Sequence, residues 1–484
     1  MSQPQSRKDL SGGRDLSQPQ SRKDLSGVKD LSQPRSCKDP VVRQIEELMK
    51  SEIFDPGLGL AKGIEACLVL KDDAKPVMLK ARTIPYALKE KVEKQLDAME
   101  EAGILTKIDD CEWGTPVVPV KKGDSVRICG DYKSTLNKCL STRQYPIPSV
   151  EECFNTVAGG VIFSVLDIKQ GYNNLQLREE DKKLTTINTH KGLYQWERLP
   201  YGISSSAAIF QGVMDEQIRD IPLTTCRIDD ILVSGRTREE HLVNLNKVVS
   251  RLEKSGLRCN QEKSQIAQAS VKYLGHQISS EGIRPLKSKV ESLMKAPVPS
   301  DVSSLVSFLS GVGYYRKYLP NLSSVIAPLD RLRQKDQKWR WTQEEQEAFD
   351  SLKKMLCSEQ VLTLYDSKLP VKLDTDASGQ GLGAVLSHVF PDGQERPIEF
   401  ISRTLSKAER NYSQIDREAL AIVWAVKRFH IYLYGRKFTL VTDHKALTHI
   451  FNVNRAIPEM SAARITRWSI FLMLSLIHIS EPTR

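Results

Sequence analysis

Thr224-Thr225-Cys226-Arg227-Ile228-Asp229-Asp230-Ile231-Leu232-Val233-Ser234-Gly235 sets two adjacent carboxylates inside an apolar, β-branched run. The pattern reads as strand, tight turn, strand, with the acids at the turn. Taken alone, such a turn can be an ordinary solvated hairpin. Inside a sheet, however, unpaired carboxylates are costly or take up protons, and a divalent cation bound by hard oxygens is the economical partner. A second run, Phe163-Ser164-Val165-Leu166-Asp167-Ile168-Lys169-Gln170-Gly171-Tyr172, ends its strand on a single acid and breaks at Gly171. Asp167, Asp229 and Asp230 together meet the need of in-line phosphoryl transfer. There, two cations roughly 4 Å apart activate the attacking oxygen and stabilise the leaving one.

Outward from these acids lie Arg127-Ile128-Cys129-Gly130-Asp131-Tyr132, Leu199-Pro200-Tyr201-Gly202-Ile203-Ser204-Ser205, Ile209-Phe210-Gln211 and Tyr273-Leu274-Gly275-His276. On those residues, and over a span from about Lys80 to Trp468, the chain resembles the reverse transcriptases of Gypsy-type long-terminal-repeat retrotransposons. The resemblance implies an α+β right-hand polymerase of fingers, palm and thumb, followed by a C-terminally truncated ribonuclease H-like mixed α/β domain. It implies two Mg²⁺ ions per active site, with Mn²⁺ as the substitute. The partners it implies are an RNA template, a DNA primer, an RNA/DNA hybrid and deoxynucleoside triphosphates.

The resulting division is 1–40 disordered repeats, 41–80 a lead-in, 81–283 fingers and palm, 284–366 thumb and connection, 367–473 the ribonuclease H-like domain and 474–484 an artefact. The repeats return with a period of fifteen residues, Ser2–Leu10 at Ser17–Leu25 and then at Ser32–Pro40, and offer too little apolar surface to offset ordering entropy. The terminal Leu474-Ser475-Leu476-Ile477-His478-Ile479-Ser480-Glu481-Pro482-Thr483-Arg484 resembles a translated sequencing adapter, and the apolar run from Trp468 reads as a junction. Helices are expected at Val42–Met49, Tyr86–Leu105, Thr237–Gly256 and Lys407–Leu433, and a strand at Ala66–Leu70.

Pro116–Val120 and Ser125–Cys129 read as strands around the basic turn Lys121-Lys122-Gly123-Asp124. In the resembling polymerases this element holds the incoming triphosphate, which assigns phosphate contacts to Arg127 and to Lys121 or Lys122; a guanidinium suits that task. The resemblance makes Tyr172 the aromatic that walls off a 2′-hydroxyl, Tyr201 and Gln211 substrate contacts, and Lys263 a candidate donor to the pyrophosphate leaving group. Each has a plain alternative as a core aromatic, a packing residue or a surface lysine. Tyr314, Tyr315, Arg316, Lys317 and Tyr318 interleave rings and cations, which suits either a duplex backbone or a helical core with a basic rim.

A second set of acids follows. Asp376 ends Val371–Asp376, Glu418 lies on the apolar face of the expected long helix with Ile415 and Ile422, and Asp443 ends Phe438–Asp443. Strand-Asp, helix-Glu, strand-Asp resembles the ribonuclease H domain of the same proteins, where these carboxylates bind two Mg²⁺ and cleave the RNA of a hybrid. Asp374 is the alternative first acid.

Composition is consistent with this reading. Lys+Arg 70 against Asp+Glu 60 gives a net charge of +10, which favours a polyanionic partner. The nine cysteines show no C-x-x-C pair or zinc spacing, and neither a secretory signal nor a membrane span is evident. The expectation is a cytoplasmic or nuclear protein, not a secreted one, with its oligomeric state open. Two departures from the family pattern stand out. Arg227 replaces a tyrosine beside the paired acids, which predicts like-charge repulsion near the metals. The pattern's aspartic protease, fourth ribonuclease H acid and integrase have no counterpart here. The rival readings are a catalytically inert relic that only binds nucleic acid, and an unfolded translation of a decayed gene.

Overall fold

The computed structural model describes residues 40–141, 145–335, 337–358, 360–451 and 463–474. The repeats before residue 40 and the adapter-like segment after 474 lie outside the described residues. The fold is α+β, as the sequence implies. Its centre is a four-stranded sheet in the order Gln265–Gln268, Ile162–Asp167, Asp230–Gly235, Thr224–Arg227. Both inner strands are buried on both faces, which explains why their sequences are apolar rather than alternating. Ser164, Leu166, Ile231 and Val233 face the Arg238–Ser255 helix, whose Leu245, Val249 and Leu252 are buried in the same core as the last three. Phe163, Val165 and Leu232 face the other way, into a core shared with Phe154, Tyr273 and the helices beyond residue 302.

A five-stranded sheet stands beside it, ordered Leu105–Ile108, Gly192–Trp196, Ile187–Thr189, Thr115–Lys122, Ser125–Gly130. The Tyr86–Glu101 helix covers it through Val92, Leu96 and Met99. Further along, Val371–Ala377, Gly381–Val389 and Glu395–Thr404 form an antiparallel set, and Thr439–Val441 pairs parallel to the first of these. The Gln414–Arg428 helix closes that sheet through Ala419, Ile422 and Val426.

Several expected boundaries shift. The strand at Ala66–Leu70 reduces to Glu65–Ala66, which pairs parallel with Gln176–Leu177. The helix expected over Lys407–Leu433 is divided into a turn of 3-10 helix at Glu409–Asn411, the Gln414–Arg428 helix and His430–Leu433. The break follows from Ser413, whose hydroxyl accepts from the Asp416 amide and starts a new helix instead of continuing an old one. Residues 468–474, part of the run expected to be a junction, lie in the Ala463–Leu474 helix. Its Leu472 is buried in the core beneath Gln414–Arg428, and Arg464 lies 3.6 Å from Asp416. In the Tyr314–Tyr318 run, Tyr315, Lys317 and Tyr318 are buried, so these three pack as core. Among the described residues no helix is long and apolar enough to cross a membrane.

Candidate active sites

The paired acids sit where two strands meet. In the antiparallel register Asp230 lies opposite Asp167 on one side and Arg227 on the other. The turn between Thr224–Arg227 and Asp230–Gly235 is tight because Ile228 adopts φ +59°, a left-handed conformation costly for a β-branched residue. Gln211 holds it there. Its side-chain oxygen accepts from the Ile228 amide at 2.8 Å, and its Nε2 donates to the Cys226 carbonyl at 2.9 Å and to Asp215 Oδ1 at 2.7 Å. Gln211, expected from the sequence as a substrate contact, is fully buried. The amide is consumed in shaping the turn.

Asp229 packs against Gly171 so closely that a Cβ there would come within 2.1 Å of Asp229 Oδ1. That oxygen is buried and has no hydrogen-bond partner among the described residues. Burial, followed by the charges of Asp230 and Asp167, pushes the Asp229 carboxyl up to about 6. Burial and Asp167 raise Asp230 as well, against Lys263 and Arg227. Two buried carboxyls, each raised by burial and by the neighbouring charge of Asp167, make a cation site in electrostatic terms. Among the described residues no three His, Cys, Asp or Glu side chains close into a preformed metal cage. An ion here would have to complete its shell with water or substrate oxygens, as Mg²⁺ commonly does.

The nucleotide-contact candidates divide. Arg127 is exposed, its guanidinium stacks 4.6 Å above the Tyr201 ring, and its charge acts on Asp229. Tyr172 lies 5.0 Å from Tyr201, and burial, then Asp229, pushes its phenol up to about 12. Arg127 and Tyr201 line a cleft of ≈ 390 Å³ with Lys169, Gln170 and Asn173. Lys121 departs from the group. It pairs with Val126 while Arg127 pairs with Val120, so the two-residue period sends Lys121 to the opposite face of the hairpin. The Lys122 side chain lies outside what is described. Lys263 is exposed, with Nζ 3.5 Å from Asp167 Oδ1. Arg227 is half-buried, and its Nε donates to the Pro148 carbonyl at 3.2 Å.

In the second site Glu418 is 2% exposed, and burial followed by Asp443 pushes its carboxyl up to about 7, with Asp376 adding to the effect. Gln414, one turn earlier, donates to Glu418 Oε1 at 2.6 Å, while Oε2 is buried without a partner among the described residues. Asp376 and Asp443 are exposed. Asp374, the alternative, is tied to Lys372 at 3.2 Å and does not figure among the charges acting on Glu418. Sequence reasoning missed Gln414 and took Gly171 only as a strand break. The i,i+4 spacing of Gln414 and Glu418 is an available signal, whereas nothing local marks Gly171 as the contact of Asp229.

Comparison with known proteins agrees with this geometry. The sequence profile described as "Reverse transcriptase (RNA-dependent DNA polymerase)" matches residues 120–278, and "RNase H-like domain found in reverse transcriptase" matches residues 341–440. The Transposon Tf2-3 and Tf2-7 polyproteins of Schizosaccharomyces pombe are each 31% identical to this chain over 420 residues, which is 85% of this chain and 31% of theirs. The chain therefore spans about a third of the length of these curated relatives. Among solved structures, the foamy viral protease-reverse transcriptase in complex with dsDNA matches with TM-score 0.79 at 21% identity, over 92% of this chain and 93% of that one. The same protein in complex with RNA/DNA hybrid matches with TM-score 0.75 at 20% identity, over 93% and 64%. These two likenesses establish the fold. Taken together, residues 120–278 form a reverse transcriptase domain and residues 341–440 a ribonuclease H-like domain, and the chain belongs to the reverse transcriptase–ribonuclease H region of Gypsy-type retrotransposon polyproteins.

Proposed function

We propose that the chain is an RNA-directed DNA polymerase whose nucleotidyl transfer is centred on Asp167, Asp229 and Asp230, with RNA/DNA hybrid cleavage centred on Asp376, Glu418 and Asp443. The observation that carries the reading is the strand register of Asp230 on Asp167, together with the buried, unpartnered Oδ1 of Asp229. A solvated hairpin has no reason to bury a carboxylate oxygen without a donor. The donor set is hard oxygen and fits Mg²⁺ or Mn²⁺. When bound, two such ions would activate the attacking hydroxyl and stabilise the leaving oxygen.

The chain's own residues do the rest. Arg127, set by its stacking on Tyr201, offers a planar fork to a polyphosphate, and its charge offsets the crowding of acids at Asp229. Tyr172, packed between Tyr201 and Phe210 and within reach of the Asp229 charge, is the ring against which a sugar would lie. Lys263 neutralises Asp167 in the free protein and is the ammonium available to a leaving pyrophosphate. Gln414 fixes the Glu418 carboxylate from the helix side, so that its second oxygen is left for a cation.

The two chemistries separate experimentally. With an RNA template, a labelled DNA primer, deoxynucleoside triphosphates and Mg²⁺, the chain extends the primer and Asp229→Asn does not. On a labelled RNA/DNA hybrid, Glu418→Gln abolishes cleavage and leaves extension intact. Cleavage and extension that survive both substitutions would reject the assignment. Hybrid binding without either reaction would favour the inert relic.

A further inference from the structure

Gln414 joins two elements of the second site. Its amide nitrogen carries two protons, and both are used: one goes to Glu418 Oε1 at 2.6 Å, the other to the Ala377 carbonyl at 3.2 Å. Ala377 ends the Val371–Ala377 strand and directly follows Asp376. A single side chain therefore ties the strand that carries the first acid to the helix that carries the second. Both partners are acceptors, so only the nitrogen end of the amide can face them, and its oxygen must face away.

That oxygen is met by Arg417. Its Nη2 donates to Gln414 Oε1 at 2.8 Å. The two residues are three apart on the Gln414–Arg428 helix, a spacing that makes their side chains neighbours. The guanidinium also reaches the hairpin turn beyond Asp376, where a Cβ at Gly379 would lie 3.5 Å from Nη1. Its Nε is buried and meets no acceptor among the described residues, which is costly unless the group is held for another purpose. The carboxylate next in sequence is engaged elsewhere: Asp416 accepts from the Ser413 hydroxyl at 2.8 Å and lies 3.6 Å from Arg464. The fork of Arg417 is thus committed to the Gln414 amide.

We propose that Arg417 is a positioning residue for hybrid cleavage: by holding the Gln414 oxygen it fixes the amide between Glu418 and Ala377, and so keeps Glu418 and Asp376 in one relation for cation binding. The inference rests on the assignment of hybrid cleavage to Asp376, Glu418 and Asp443. Removing a partner that orients a metal ligand costs about 10- to 100-fold in metal affinity or activity.

The experiment uses the full chain carrying Asp229→Asn and Asp230→Asn, so that added Mn²⁺ reports on the second site. Bound Mn²⁺ is read by electron paramagnetic resonance, beside cleavage of a labelled RNA/DNA hybrid. Arg417→Met keeps the aliphatic stem and removes the fork; it should weaken Mn²⁺ binding and lower kcat, each by about 10-fold, with KM for the hybrid unchanged. Arg417→Lys, which can still donate to the Gln414 oxygen, should recover part of both. In a Gln414→Ala background Arg417→Met should have no further effect, because the relay is already cut. A second loss of the same size in that background would overturn the proposal, since Arg417 would then act on Glu418 or on the hybrid directly. A change in KM alone would overturn it as well. Melting curves identify a variant that fails to fold, and Arg417→Lys then carries the comparison. Where the chain binds Mn²⁺ without cleaving, the affinities alone decide. Unchanged Mn²⁺ affinity and kcat for Arg417→Met would overturn the proposal and leave the cleavage reading standing. A chain with Arg417 in place that neither binds Mn²⁺ at this site nor cleaves the hybrid would overturn both.

Discussion

Gly171→Ala is a small change with a large expected consequence. The added methyl would stand 2.1 Å from Asp229 Oδ1, against an ordinary contact of 3.4 Å, so the carboxylate must retreat by 3.4 − 2.1 = 1.3 Å or the neighbouring chain must move. The second neighbour, a ring carbon of Phe210 at 3.1 Å, belongs to a fully buried side chain and gives little room. Overpacking of this kind costs about 1–3 kcal/mol in stability, which a domain of this size tolerates. A displacement of about 1 Å at a reacting centre costs about 100-fold in rate, or about 2.7 kcal/mol of transition-state stabilisation. Primer extension by Gly171→Ala should therefore fall about 100-fold while the protein still melts cooperatively. Gly160→Ala is the matched control. Its methyl would meet Ser234 Oγ at 2.0 Å, a clash of the same size that touches none of the three acids. Its cost should appear in the melting temperature and not in extension per folded molecule. Equal extension by Gly171→Ala and the unaltered chain would show that Asp229 is not constrained as described, or is not needed.

Three further outcomes follow from the packing. Gln211→Ala strands the Ile228 amide and the Cys226 carbonyl and frees a turn held at positive φ; loss of about 1–3 kcal/mol per buried group predicts a lower denaturation midpoint together with lost extension. Conversely, Glu418→Gln removes a buried carboxylate whose Oε2 has no partner, so hybrid cleavage should vanish while the melting temperature holds or rises. His241 is 1% exposed, and burial holds its imidazole at about 4, below the usual 6.5. Its folded pKa is depressed, so the unfolded state binds the proton first: stability is full above pH 6.5 and is lost as pH falls toward 4, by up to about 3 kcal/mol. His241→Asn should flatten that part of the stability–pH curve, and an unchanged curve would count against the burial argument.

The sequence showed the acids more clearly than their supports. Asp229 and Asp230 stand out because charge interrupts a run that is apolar on both faces, and Glu418 stands out on an apolar helical face. Their supports depend on residues brought together from a distance. Gln211 acts across 17 residues on Ile228, and Gly171 matters only because Asp229 lands on it. The misplacement of Lys121 was avoidable, since alternation along the hairpin already separates it from Arg127. The Tyr314–Tyr318 run could not be decided locally, because rings and cations suit a duplex or a core equally. Burial of Tyr315, Lys317 and Tyr318 settles those three, while Tyr314 stays open to solvent.

The most direct test of the central claim is addition of a single deoxynucleotide to a DNA primer annealed to an RNA template, measured with Mg²⁺ and again with excess EDTA, for the unaltered chain and for Asp230→Asn. The account predicts addition by the unaltered chain with Mg²⁺, and none in EDTA or with Asp230→Asn. Addition by Asp230→Asn at the unaltered rate would contradict it.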